Sequence, residues 1–135
     1  MAVLYDAQGS AVKALGVSDL AVTNTGAANA AVTATLPAAG TGLFHYVTSI
    51  TVQRASTALL AGTAALVVTS TNLPGNPAWT VGNAMLAGDS KADVNLSLTG
   101  NPLKSSVANT ATTVVCPAPG AGVLWRVNVT YYVGP

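Results

Sequence analysis

The chain has few charged residues, no glutamate, and only one cysteine, one histidine and one phenylalanine. Charged residues make up 7% of its 135 residues, against about 25% in ordinary soluble domains. A surface so poor in charge is weakly protected against association. We therefore predict that copies of the chain or another protein cover much of it in its working state. The alternative is a neutral monomer coated with Ser, Thr and Asn.

The scarcity of charge also bears on partners. The five basic residues are scattered along the chain, whereas a nucleic-acid surface needs them clustered. The longest nearly apolar run, 58–68, is too short to span a membrane and is broken by Gly62 and Thr63. No basic segment typical of a secretory signal opens the chain. We expect a protein made in the cytoplasm that binds neither nucleic acid nor membrane.

The single cysteine, Cys116, excludes an intrachain disulfide. It ends a β-rich run and precedes Pro117. A free cysteine in this position is predicted to be a small buried hydrophobe rather than a nucleophile.

Alanine, valine and threonine dominate the chain, and strong helix formers other than alanine are scarce. Valine and threonine are β-branched and favour strands. The clearest strand is 123–133, where apolar and polar side chains alternate. Its apolar face is predicted to contain Val123, Trp125, Val127, Val129, Tyr131 and Val133.

Turn signals divide the rest of the chain into further short strands. We predict strands at 20–23, 31–36, 44–54, 64–70, 79–81, 92–99, 111–116 and 123–133. This spacing is typical of sandwiches and jelly rolls. The predicted fold is all-β: a single-domain antiparallel β-sandwich or jelly roll over 21–135 with an extended N-terminal arm over 1–20. Within the arm, 10–15 could form one helical turn capped by Ser10.

Alternation also predicts the faces of two other strands. In 44–54 one face is predicted to hold Phe44, Tyr46, Ile50 and Val52, with Thr48 as its small member. The polar face holds His45, Ser49, Thr51 and Gln53, and Val47 interrupts it. In 92–99 the inward set is Ala92, Val94, Leu96 and Leu98, and the outward set is Asp93, Asn95, Ser97 and Thr99.

No catalytic or metal-binding constellation is apparent. His45 is predicted to be a surface or interface residue, since no cysteine or carboxylate lies near it in sequence. Asp89 and Asp93 are the only close carboxylates, and both are predicted to be solvated. Lys104 and Ser105 sit in a polar loop as ordinary solvated residues. We predict no enzymatic activity, no metal and no cofactor.

Three segments carry a family resemblance: 44–50, 101–106 and 123–134. The part from Phe44 onward resembles small structural proteins of tailed bacteriophages. The resemblance covers about the last two thirds of the chain and implies a β-sandwich or jelly-roll module. Some proteins of this kind decorate the head as trimers and cement neighbouring capsid subunits, and others form the heads of fibres or spikes.

The resemblance and the composition together predict a non-enzymatic virion protein. It would be a homotrimeric head decoration or cement protein on the capsid surface, with the major capsid protein as its partner. The alternative is a receptor- or carbohydrate-binding sandwich of a phage fibre or tail, which would group exposed aromatic and Asn side chains in loops, as around Trp79, Asn76 and Asn83. Candidate core or interface anchors are Phe44, Tyr46, Trp79, Trp125, Tyr131 and Tyr132.

Overall fold

A computed structural model describes residues 3–5, 11–14, 19–62 and 64–135 of the chain. Its described residues form strands and loops without a helix. The strands are β1 (Val3–Tyr5), β2 (Ala11–Ala14), β3 (Leu20–Thr25), β4 (Val32–Leu36), β5 (Phe44–Ser56), β6 (Leu66–Thr71), β7 (Ala78–Val81), β8 (Ser90–Ser97), β9 (Leu103–Lys104), β10 (Thr112–Cys116) and β11 (Val123–Gly134). All-β structure is therefore confirmed.

Two antiparallel sheets form the sandwich. One has the order β3-β11-β5-β8, with β9 also paired to β5, and the other has the order β4-β10-β6-β7. From β3 to β11 the chain changes sheet at every connection except the β6–β7 hairpin and the step from β8 to β9. This alternation between two four-strand paths is the topology of a jelly roll.

The predicted N-terminal arm falls partly outside the described residues, which leave out 1–2, 6–10 and 15–18. Of the described part, β1 pairs with β2 as an antiparallel two-stranded sheet, and β2 lies close to β11. The helical turn predicted over 10–15 is wrong for 11–14, because pairing with β1 satisfies their backbone groups as a strand.

The core lies between the facing sides of the two sheets. One sheet contributes Val47, Ile50, Val52, Val94, Trp125, Val127, Val129 and Tyr131, and the other contributes Val32, Ala34, Leu36, Val68, Val81, Val114 and Cys116. On β11 the predicted apolar face is the core face, and Trp125 at its centre is fully buried. Its indole Nε1 donates to the Pro117 carbonyl at 2.6 Å, which satisfies the one polar atom that this ring brings into the core.

A bulge in β5 overturns the predicted faces of that strand. Thr130 pairs with Ser49 but Tyr131 pairs with Val47, so Thr48 is an extra residue on β5. Because side chains alternate with a period of two, one extra residue exchanges the two faces. His45 and Val47 therefore face the core.

The predicted face of β5 that joined Phe44 and Tyr46 to Ile50 is wrong for the same reason. The two aromatic side chains lie before the bulge, where their positions point away from the core. Their place is the outer side of the five-stranded sheet.

A second bulge changes β8. Val52 pairs with Val94, and Gln53 pairs with Ala92, which leaves Asp93 as the extra residue. Ala92, predicted to face inward, is exposed. Asp93, predicted to be solvated, has only 7% of its side chain exposed because it turns toward the core side of β5.

Candidate functional site

His45 is buried and hydrogen-bonded inside the sandwich. It is 1% exposed, and its Nε2 lies 2.8 Å from the Pro37 carbonyl oxygen while its Nδ1 lies 2.8 Å from Thr112 Oγ1. A carbonyl only accepts, so Nε2 carries the proton and Nδ1 accepts from the Thr112 hydroxyl. The Asn72 side-chain amide donates to the same hydroxyl oxygen at 3.2 Å. The surface or interface position predicted for His45 is wrong, since the Thr48 bulge turns it inward.

The hydrogen bonds of His45 suit a neutral ring. Burial lowers the pKa of His45, and the bond to the Pro37 carbonyl partly offsets this by raising it. A protonated ring could no longer accept at Nδ1, so the Thr112 hydroxyl would lose its acceptor. The ring therefore connects β5 to β10 and to the loop after β4, and no carboxylate among the described residues bonds to it.

Arg54 and Asp93 form a buried ion pair. Arg54 Nε lies 2.6 Å from Asp93 Oδ2, and Nη2 lies 2.7 Å from Oδ1. Nη2 also donates to the Gly82 carbonyl at 2.6 Å, and the guanidinium carbon is 5.2 Å from the centroid of the Trp125 ring. Within the described part of the chain, Nη1 is buried without a hydrogen-bond partner. Through these bonds Arg54 connects β5 to the β8 bulge and to Gly82, the residue after β7.

Two other groups considered for chemistry are also structural. Cys116 is fully buried, as predicted, and burial raises the pKa of its thiol to about 12, with a smaller contribution from Asp93. Ser105, predicted to be solvated, is 3% exposed, and its Oγ accepts the backbone N–H of His45 at 3.0 Å. A thiol with so high a pKa and a hydroxyl held by the backbone are poor nucleophiles.

No cluster of three or more His, Cys, Asp or Glu that suits a metal ion occurs among the described residues. The same residues include no helix of the length and apolarity that crossing a bilayer requires.

The six aromatic candidates divide between core and outer face. Trp125 and Tyr131 belong to the core, and Trp79 is half-buried and packs against it. Tyr46 and Tyr132 stack on the outer side of the five-stranded sheet, with ring centroids 4.9 Å apart and planes 1° from parallel. Burial raises the pKa of Tyr132.

Phe44 lies beside this tyrosine stack and is half-buried. The Lys104 ammonium is 3.9 Å from its ring centroid. The stacked tyrosines and the Lys104 ammonium lie together at one end of the outer face of the five-stranded sheet. This arrangement is aromatic and cationic.

Charge is distributed unevenly over the two sheets. The strands of the four-stranded sheet, β4, β10, β6 and β7, contain no charged residue. Of the cations outside the buried ion pair in the described part of the chain, Lys91, Lys104 and Arg126 lie on the five-stranded sheet, and Lys13 lies on β2. One outer face of the sandwich is thus neutral and rich in threonine, and the other, cationic outer face carries Lys104 and Arg126.

A depression of about 410 Å³ lies on the cationic face. Two rows of residues paired across the strands make it. The first row runs Thr25, Arg126, Gln53, Ala92, and the second runs Leu124, Ala55, Ser90. Adjacent strands lie about 4.8 Å apart, so the small side chains of Ala55, Ser90 and Ala92 leave space beside the long side chain of Arg126. We call this feature the cationic depression.

A smaller cleft of about 300 Å³ shares Lys91 with it and is largely apolar, with Asp89 as the one carboxylate in its lining. It lies between the loop after β5 and the loop after β7, which Leu60 and Met85 join through reciprocal backbone hydrogen bonds of 2.8 and 2.9 Å. Leu59 and Leu86, 68% and 67% exposed, stand at its mouth. Lys91 lines both cavities. We call this feature the leucine cleft.

Sequence reasoning missed both cavities. Arg126 was visible on the outer face of the last strand, but its neighbours Thr25, Gln53 and Ala92 come from three distant strands. Only the register of pairing brings them together. The exposed leucines lie in segments without periodicity, so no pattern distinguished them from core residues.

The described residues form a jelly-roll sandwich with two surface cavities on and beside the five-stranded sheet. No protein-family model, curated protein or solved structure matches the chain.

Proposed function

We propose that this protein is a non-enzymatic structural protein of a bacteriophage virion, a head decoration protein that binds the major capsid protein and stabilises the shell. The observation that carries the proposal is the charge of its surface. The described part contains eight charged residues, and Arg54 and Asp93 are buried against each other. That leaves six charges, three of them cations on the five-stranded sheet. Such a surface suits permanent contact with protein better than free solution.

The mechanism would be adhesion over a wide area. Decoration requires a rigid module whose faces remain accessible at both sides, and a jelly roll meets this need because its core is closed between the sheets. The neutral face offers Thr33, Thr35, Thr69, Thr71 and Thr80 as exposed side chains, which bind flat surfaces through hydrogen bonds and methyl contacts. A homotrimer around a threefold axis would multiply these contacts.

The receptor- or carbohydrate-binding alternative depended on an exposed aromatic group in the loops. Trp79, the aromatic residue of that group, packs against the core instead. No specific observation on the described residues favours this alternative.

The experiment that tests the proposal compares particles with and without the protein. Deleting its gene from the genome that encodes it should yield capsids that lose their contents at lower temperature or lower salt. Adding purified protein should restore the stability and should saturate at a fixed ratio to the capsid protein. Capsids with unchanged stability, or with no saturable binding, would contradict the proposal.

Light scattering coupled to size exclusion supplies an independent measurement. A trimer in solution would support a preformed module, and the capsid-bound copy number would then be a multiple of three. A monomer that binds capsids as single, unclustered copies would contradict the trimeric arrangement.

A further inference from the structure

We propose that the cationic depression and the leucine cleft form one binding site for a protein segment that presents a carboxylate next to an apolar side chain. This inference deepens the proposed function and rests on it, since it names the chemistry of the partner. It differs from the general adhesion described above because it places specific recognition at one end of the five-stranded sheet.

The first step is the unpaired charge of the depression. The Arg126 side chain is exposed and has no ion-pair or hydrogen-bond partner among the described residues. No carboxylate lines the depression, because the bulge of β8 has turned Asp93 inward to Arg54. In a chain with so few charges, a guanidinium beside vacant volume and without its own acid is complementary to an external anion.

The second step is the size and the lining of the depression. A volume of about 410 Å³ is in the range of small-ligand sites, and the remainder of the lining supplies hydrogen-bonding groups at Thr25, Gln53 and Ser90. Arg126 and Gln53 are direct cross-strand neighbours. A carboxylate over this pair would accept from the guanidinium and from the amide together.

The third step is the apolar cleft, which identifies the source of the carboxylate. Leu59 and Leu86 are among the most exposed large hydrophobic side chains of the described residues, and they flank the same cleft. Lys91 lines both cavities, and its ammonium donates to the Ala84 carbonyl at 2.9 Å. An acidic sugar would satisfy the depression alone, whereas a protein segment can place an apolar side chain in the cleft at the same time.

The two cavities are held in fixed relation. The backbone of Ser56, at the end of β5, bonds to both Asp89 and Gly88 at 2.9 and 2.8 Å. These bonds join the strand that floors the depression to the loop that walls the cleft. A site that is already assembled loses little entropy on binding, so short segments are sufficient probes.

The test uses the full chain labelled with ¹⁵N and titrated with blocked dipeptides. Acetyl-Leu-Glu-amide should shift the amide signals of Gln53, Ala92 and Arg126 together with those of Leu60 and Met85. Acetyl-Leu-Gln-amide, which lacks the charge, should bind about tenfold more weakly or worse, as expected when a charge-assisted hydrogen bond is lost. Glucuronate is the probe for a sugar source, and it should bind more weakly than the dipeptide.

Two pairs of variants locate the site. Arg126→Gln should weaken binding of acetyl-Leu-Glu-amide about tenfold, and Lys104→Gln, which removes a cation at the other end of the sheet, should not. Leu86→Ser should weaken it, and Val107→Ser, at another exposed apolar residue, should not. Unchanged thermal midpoints would show that each variant is folded.

The contradicting results are specific. Equal affinity of Arg126→Gln and the parent chain, equal or tighter binding of glucuronate, or no shifts with any probe would each overturn the site. Capsid binding measured in parallel separates this inference from the proposed function. Capsids that bind Arg126→Gln as tightly as the parent would overturn the site and leave decoration standing. Dipeptide binding at the site without any capsid binding would overturn decoration and leave the site standing.

Discussion

The buried ion pair between Arg54 and Asp93 makes a stability prediction that follows directly from its geometry. Arg54 is 1% exposed and the Asp93 side chain 7% exposed, so neither charge has water to replace a lost partner. Arg54→Met keeps most of the side-chain volume over Trp125 and removes the charge. Asp93 is then left buried, and the Gly82 carbonyl loses its donor.

The expected loss is large. Removing one member of a buried ion pair costs about 3–5 kcal/mol, since the remaining charge is desolvated without compensation. A Coulomb estimate agrees: two unit charges about 4 Å apart attract by about 4 kcal/mol at an effective dielectric constant of about 20. With a urea dependence of about 2 kcal/mol per molar, Arg54→Met should lower the unfolding midpoint by about 2 M.

The assay is urea unfolding followed by the fluorescence of the two tryptophans, run as a double-mutant cycle. Asp93→Ala should also destabilise strongly, because it leaves the Arg54 guanidinium buried. The double variant should lose several kcal/mol less than the sum of the two single variants, since it removes both charges together. Lys104→Met is the matched control, and it should cost less than about 1 kcal/mol because this cation is exposed.

Two results would refute the reasoning. A loss below about 1 kcal/mol for Arg54→Met would mean that water or another group replaces it, contrary to the burial described. Additive effects in the double variant would mean that the two side chains act independently, contrary to their contacts of 2.6 and 2.7 Å.

Two more perturbations test the β5 bulge and its consequences. His45 is the only histidine, and its pKa is lowered in the folded protein. The neutral ring therefore stabilises the fold fully above the unfolded pKa of about 6.5, and this stabilisation is lost as pH falls through the folded pKa. Unfolding midpoints measured between pH 8 and 5 should fall with pH in the parent and much less in His45→Gln; equal slopes would contradict the neutral buried ring. Deleting Thr48 should abolish cooperative folding, as judged by near-ultraviolet circular dichroism, because it would turn Val47 out of the core. Thr48→Ala keeps the extra residue and should cost only about 1 kcal/mol, for the lost hydrogen bond to Thr130. A folded deletion variant would refute the role of the bulge.

Composition and alternation were sufficient to predict the class of fold and the position of most strands. The last strand, predicted at 123–133, spans Val123–Gly134, and its predicted core face is the observed one. β4 and β10 also lie within a residue of their predicted bounds. These strands alternate without interruption, so the period of two remains in phase from end to end.

Prediction failed where a strand contains an extra residue. The side chain of Val47 was the visible sign of a phase change in β5, since it interrupted an otherwise polar face. Alternation beyond Val52 also places Arg54 on the core face, and a buried cation there would have required an acidic partner. Asp93 could not be identified as that partner, because its own bulge reverses its direction.

The candidate site could not be predicted from the sequence, for a different physical reason. Its cationic row needs Thr25, Arg126, Gln53 and Ala92 to be neighbours, and their adjacency is set by the registers of three strand pairs rather than by any local pattern. The bulge that buries Asp93 also removes the acid that would otherwise stand on the outer face near Arg126. One extra residue in β8 therefore satisfies the buried Arg54 and leaves Arg126 unpaired. On this argument the stability of the core and the anion preference of the surface have a common origin, and removing Asp93 should alter both.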